Sequence, residues 1–258
     1  METTRPPAVA ANPYSPPQAA IDAEPPPPAE TGFKSATGLA NAIAVDMAMI
    51  ALLELAAMVH EFVTIGVMRR LEAGEDVAKD VLAAIDVRTR AIGQLSTILV
   101  LAAIVLFCLF MPRANRNARS FGSPMTNSPG WAAGWFFVPV ALWWKPYYAM
   151  KEIWQGSDPD PTVHAALAPV PALLPLWWWM DLLRSAAPMV AKQMHGKSAS
   201  EMITRSWTEI VCRIPSLAAA ILAAAVVRAV ARRQDERQRR QNAAATPPQA
   251  PLKANAAL

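Results

Sequence analysis

Charge is scarce in this chain: 17% of its 258 residues are Asp, Glu, Lys or Arg, while 53% are hydrophobic. A soluble domain usually carries about 25% charged residues. That imbalance excludes an ordinary nucleic-acid-binding domain and a wholly disordered chain. Cysteine is nearly absent too. Cys108 and Cys212 stand far apart in apolar stretches, which excludes a disulfide-rich secreted module and leaves no redox motif. Of the three histidines, His60 opens the run HEFVT, but Thr64 stands where H-E-x-x-H needs its second metal ligand. His164 and His195 are isolated. With only 10 glycines, no Gly-rich phosphate loop follows a strand, and no G-x-S-x-G occurs. The expectation is a non-enzymatic protein with no metal and no cofactor. The N-terminus also lacks the basic-then-apolar layout of a cleaved signal peptide.

What is present is apolar length. Nine of the 24 prolines precede residue 31 and three follow residue 246. Such stretches cannot bury a core, so residues 1–34 and 234–258 are expected as disordered tails around a helical membrane domain, 35–233. Apolar runs at about 40–68, 91–111, 168–190 and 210–230 approach or exceed the roughly 20 residues that cross the hydrocarbon. The fold class is therefore all-α, with about four transmembrane helices. The second run is free of charge and closed by Pro112 and Arg113. Residues 71–90 place apolar side chains at helical spacing among charges, which predicts a short amphipathic surface helix. The stretch Trp131–Trp144 is only 14 residues long and is broken by Pro139. Segment 129–156 therefore reads as an aromatic interfacial or re-entrant helical element.

Four crossings place both termini on one side. Sorted by that topology, Lys and Arg number fourteen on the side of the termini and ten on the other. Basic residues favour the cytoplasmic side, so both termini are expected there, in a bacterial inner membrane. The steepest cluster follows Arg228. Arg232, Arg233 and Arg237 within it are expected to attract anionic lipid. Asp235 and Glu236 interrupt the cluster, which argues against nucleic acid.

Eight of nine tryptophans fall between Trp131 and Trp179. An indole joins an apolar body to one N–H donor and favours the headgroup level. The main reading is an interfacial belt; the rival is an aromatic-lined groove for a lipid, quinone or peptide. Gly130 and Gly134 form a G-x-x-x-G that permits close helix contact. The run PGWAAGWFFVP, with Pro129, Gly130, Trp131, Gly134, Trp135, Phe137 and Pro139, resembles the bacterial integral-membrane family called domain of unknown function 4328. So does WWKPYYAMKEIWQGSDP, with Trp144, Pro146, Glu152 and Trp154. An Arg/Asn-rich junction containing Arg113 and Asn117 precedes both. Leu142 departs from the family pattern, which usually has Asn there. The resemblance spans about residues 39–235 and implies the architecture without a mechanism.

Charge inside the apolar runs marks the candidate functional residues. Asp46, Glu54 and Glu61 are spaced by eight and seven, which keeps them within roughly 80° on a helix at about 100° per residue. A bare charge at mid-bilayer costs about 3 kcal/mol or more, so Glu54 needs a partner or water. Arg113, Arg184 and Arg213 are the candidate partners. Asp181 and Arg184, three apart, are placed to pair with each other, as Glu209 and Arg213 are at four. The leading functional reading is a membrane scaffold, assembly or regulatory component with an unidentified protein partner. A small transporter or channel built on Glu54 is the second, and a lipid-phase enzyme the third.

Overall fold

The computed structural model describes residues 32–160, 167–191 and 198–245. The expectations for residues 1–31 and 246–258, and for His164 and His195, fall outside these. The helices are α1 (Thr37–Glu72), α2 (Lys79–Ser120), α3 (Pro129–Gly134), α4 (Lys145–Gly156), α5 (Leu173–Ala191) and α6 (Ala199–Ala245). Two 3-10 turns, Trp135–Phe137 and Ala141–Trp143, lie between α3 and α4. No strand occurs among the described residues.

Three helices, α1, α2 and α6, are long and apolar enough to cross a membrane. The expected fourth, α5, is 19 residues long. With three tryptophans, Asp181, Arg184 and two prolines, it holds no 18-residue stretch as apolar as those of the other three. Pro175 sits in its first turn, where a missing N–H costs nothing, and Pro169 and Pro171 precede the helix.

Several boundaries differ from the sequence expectation. Residues 79–90 are not a separate surface helix; they form the first turns of a 42-residue α2. Nor does Pro112 end that helix. Beyond it Ala114, Asn115, Asn117 and Ala118 are buried, and their packing outweighs the one backbone bond that proline removes. Helix α6 likewise passes Pro215 and runs for 47 residues. Residues 234–245 are therefore helix, with Gln234 and Arg237 buried. At the other boundary Phe33 stacks on Phe121 with ring centroids 5.7 Å apart, so the expected tail gives way to docked chain before residue 35.

Helices α2 and α6 both run antiparallel to α1, and so parallel to each other. Thr37 at the start of α1 donates its hydroxyl proton to Asp235 near the end of α6, at 2.6 Å. Toward the other end of α1, His60 pairs with Thr89 of α2 at 2.9 Å, and Phe62 meets Trp207 of α6 edge-on at 5.6 Å. Helix α6 packs mainly on α1 and α5, and α2 packs on α1. Between α2 and α5 there is little contact beyond the parallel stack of Phe107 on Trp177, at 6.4 Å.

The core lies where α1 begins and α2 and α6 end. Ile43, Phe110, Met111, Met150, Ile153, Leu174 and Val226, Val227 and Val230 are fully buried there. Ala36, Ala40, Ala220, Ala223 and Ala231 let the backbones approach closely. In hydrocarbon, packing of small residues and polar bonds hold helices together better than apolar burial does, because lipid is as apolar as leucine. Outward, Leu52, Val59, Ile98, Val105, Val211 and Ile221 are exposed, giving α1, α2 and α6 an apolar outer face. Toward the opposite end α2 and α5 part, while α1 stays against α2 and α6.

Candidate functional site

Two polar regions result, a closed knot beside the core and a cavity where the helices part. The knot begins at Asn117. Its amide donates to the Lys34 carbonyl and to Gln234 Oε1, both at 2.9 Å, while its own oxygen accepts from the Lys34 backbone N–H at 3.2 Å. Gln234, fully buried, donates in turn to the Ala114 carbonyl at 2.8 Å and to the Ser157 hydroxyl at 2.9 Å. Arg237 spends its guanidinium on the carbonyls of Asp158 at 2.9 Å and Phe121 at 3.2 Å. Burial lowers the pKa of Arg237 from its ordinary value, and the Asp158 carboxylate opposes that shift. Arg233 pairs with Asp158 at 2.8 Å and lies over the Trp154 ring.

Arg232, Arg233 and Arg237, the three expected to meet anionic lipid, differ in where their side chains go. Arg233 and Arg237 point into the protein, and of the three arginines only Arg232 faces outward. Two glycines make the knot possible. Gly122 adopts φ +78° and ends α2, a left-handed conformation that suits glycine. A Cβ on Gly156 would lie 3.2 Å from that of Ala118, so glycine lets α4 close on α2.

Glu152 organises the loop between α2 and α3. Its carboxylate accepts from the Thr126 backbone N–H, from the Asn127 backbone N–H at 3.2 Å and from the Asn127 amide at 2.7 Å. Asn127 accepts in turn from the Trp135 indole at 2.8 Å, and its carbonyl takes Arg119 at 2.8 Å. Hydrogen bonds to a charged group contribute about 1.5–3 kcal/mol each. Glu152→Ala should therefore raise cleavage of residues 122–128 by a broad-specificity protease about tenfold in detergent, a factor that corresponds to about 1.4 kcal/mol. A wild-type cleavage rate would show that the carboxylate does not hold the loop.

The remaining family-motif residues divide between packing and surface. Ser128 caps α3 and Pro129 occupies its first turn. Gly130 and Gly134 do not mediate helix contact as expected. A Cβ on Gly130 meets nothing, and one on Gly134 meets the Trp131 ring of its own helix at 3.1 Å. Pro139 lies in the turn between the two 3-10 segments, Pro146 is buried in the first turn of α4, and Arg113 is half-buried. The tryptophans split in the same way. Trp131, Trp143, Trp144 and Trp179 are exposed. Trp154 donates to the Pro169 carbonyl at 3.0 Å and Trp178 to that of Trp143 at 3.1 Å.

The cavity, of about 770 Å³, lies between α2 and α5 with α1 and α6 behind it. Phe107, Phe136, Phe137 and Trp177 form its aromatic wall, and Glu54, Asp181, Arg184, Arg205, Glu209 and Arg213 also line it. Arg213 donates to Glu54 at 2.8 Å and lies 4.0 Å from Glu209, while Arg184 pairs with Asp181 at 2.7 Å. The expected pairings thus form, with Arg213 rather than Arg113 or Arg184 as the partner of Glu54. The acidic stripe does not act as one site. Glu54 lines the cavity; Asp46 is buried outside it with Oδ2 unpartnered, and Glu61 lies two turns beyond, half-buried. Sequence reasoning missed Arg205, Ser96 and Ser216 as lining residues. It also missed Gln234, Ser157 and Asp158 in the knot.

Among the described residues these features define an all-α helical bundle in which helices long and apolar enough to cross a membrane flank a partly charged cavity open between α2 and α5. The family model described as Domain of unknown function (DUF4328) matches residues 73–232. The chain belongs to that family. The matched region begins in the turn after α1, so Asp46, Glu54 and Glu61 precede it, whereas the resemblance seen in the sequence was expected to start near residue 39. No curated protein and no solved structure matches the chain.

Proposed function

We propose that this is a non-enzymatic multi-pass protein of the bacterial inner membrane that holds a membrane-embedded amphiphile between α2 and α5. The observation that carries this reading is the cavity itself. Its wall is apolar and aromatic in one part and lined with ion pairs in the other. A volume of about 770 Å³ falls within the roughly 300–1,000 Å³ typical of ligand pockets. A soluble ligand would not need the apolar wall, and a pure hydrocarbon would leave the charges unserved. Helix α5 serves as a fourth crossing, its Asp181–Arg184 pair neutralised internally. The meeting of Thr37 with Asp235 supports termini on one side, and the basic excess there supports a cytoplasmic location. Exposed Trp131, Trp143, Trp144 and Trp179 support an interfacial position for segment 129–156. Arg228, Arg232, Arg239 and Arg240 face outward and retain the attraction for anionic lipid.

Ala103 lines the cavity midway along α2, so Ala103→Trp obstructs it while leaving every ion-pair partner in place. The amount of lipid or other amphiphile that co-purifies with the full chain should fall at least fivefold, measured by mass spectrometry of extracts. Equal yield from the variant and the wild type would remove the reading. Glu54 on the cavity wall favours a second reading, a transporter. Proteoliposomes containing the wild type would then show a pH-dependent ion flux that Glu54→Gln abolishes, and absence of that flux leaves amphiphile binding alone.

A further inference from the structure

The order of side chains along the α6 wall of the cavity is informative. From its start α6 contributes Arg205, Glu209, Cys212, Arg213, Ser216, Ala219, Ala220 and Ala223. Charge gives way to a hydroxyl and then to methyl groups. A phospholipid has the same order: a charged phosphate, an ester and glycerol region, then hydrocarbon. At about 1.5 Å per residue Arg205 and Ala223 are roughly 27 Å apart along the helix, which exceeds half of a bilayer about 40–45 Å thick with its headgroups.

Of the three cavity arginines, two are committed: Arg213 to Glu54 and Arg184 to Asp181. Arg205 is exposed and has no acidic partner among the described residues. Its depth matches a headgroup. Arg233, at the knot, lies 28 residues further along α6, or about 42 Å at 1.5 Å per residue, so a bilayer about 40–45 Å thick separates the two levels. A planar guanidinium also pairs with phosphate through two parallel hydrogen bonds.

We infer that the occupant is a phospholipid drawn from the leaflet opposite the termini, its phosphate on Arg205 and its acyl chain against Phe107, Phe136 and Trp177. This rests on the amphiphile reading above and adds the ligand's chemical class and orientation. The opening between α2 and α5 gives the chain its lateral entry.

The test uses the full chain, purified in detergent, stripped of lipid and titrated by native mass spectrometry. The probes are phosphatidylglycerol, diacylglycerol with the same chains, and inorganic phosphate. Wild type should form the phosphatidylglycerol adduct at about tenfold lower concentration than the diacylglycerol adduct, and Ala103→Trp should suppress both. Arg205→Gln should bring the two lipids within twofold of each other while diacylglycerol binding stays unchanged; Arg205→Lys should restore most of the preference. A preference that survives in Arg205→Gln overturns the phosphate assignment and leaves amphiphile binding intact. If inorganic phosphate at millimolar concentration displaces the lipid, the site is for a free anion and the inference fails. Adducts of both lipids that Ala103→Trp does not reduce, or no adduct at all, sink the amphiphile reading as well.

Discussion

Glu54→Ala should destabilise the detergent-solubilised protein by about 3–5 kcal/mol, the range for removing one partner of a buried ion pair. The side chains of Arg213 and Glu54 are 22% and 14% exposed, and that exposure is to the cavity. Without Glu54, Arg213 keeps only Glu209 at 4.0 Å. Its Nε is already buried and without a partner, so truncation adds to an unsatisfied cation rather than creating one. Water in the cavity would hold the loss near the lower end of the range. Removing both charges should reverse most of it. Glu54→Leu combined with Arg213→Leu should lie within about 1 kcal/mol of wild type, because replacing a buried pair by apolar groups is often neutral or stabilising. Reversible unfolding in mixed micelles measures both. A single variant as stable as wild type would mean that the pair is solvated and contributes nothing; a double variant as unstable as the single would mean that Glu54 acts through packing. The effect is one of stability, and it is independent of whether a lipid binds.

How much of this was legible before the fold was known depends on which contacts are local. The charge-free run before Pro112 identified the apolar middle of α2 but neither of its ends, and the spacing of Asp181 to Arg184 placed both on one helical face. The Glu54–Arg213 pair was legible as a short list, since a carboxylate in an apolar run needs a cation and few were near enough. The C-terminal end was misjudged because its composition, RAVARRQDERQRR, reads as a solvated tail. The signal against that reading was present: Val226, Val230, Gln234 and Arg237 follow at spacings of four, four and three, which continues one helical face past the last apolar residue. All four are buried. Pro112 misled for a different reason. A proline removes one hydrogen bond, and whether the helix stops there is decided by what packs beyond it, a tertiary matter. Glu54, Asp181, Arg184 and Arg213 were legible as candidates, but not that one cavity gathers them, since it exists because α2 and α5 stand apart against α1 and α6. Arg205 looks like any other surface arginine until the wall it belongs to is known.

Asn117→Leu should cost about 2–4 kcal/mol and release the segment before α1. The side chain acts as a short stretch of backbone, pairing with both the N–H and the carbonyl of Lys34 while it donates to Gln234. Leucine occupies similar space and removes all three bonds. Lys34 is exposed, so water can take up its backbone groups at little cost. Gln234 has no such recourse: it is 0% exposed, and its oxygen loses its donor. A buried acceptor left without a partner costs about 1–3 kcal/mol, and loss of the Lys34 anchor accounts for the rest. Hydrogen exchange should therefore rise in residues 33–40, which include the first turn of α1, while the segment around Arg213 keeps its protection. Asn117→Asp tests the polarity of the same contact. It preserves the acceptor for the Lys34 N–H but sets a carboxylate oxygen against the Lys34 carbonyl and Gln234 Oε1. Its loss should equal or exceed that of leucine, despite the closer likeness to asparagine. Stability within 0.5 kcal/mol of wild type for either variant, with unchanged exchange near Lys34, would show that the knot is held by Arg237 and Gln234 without Asn117.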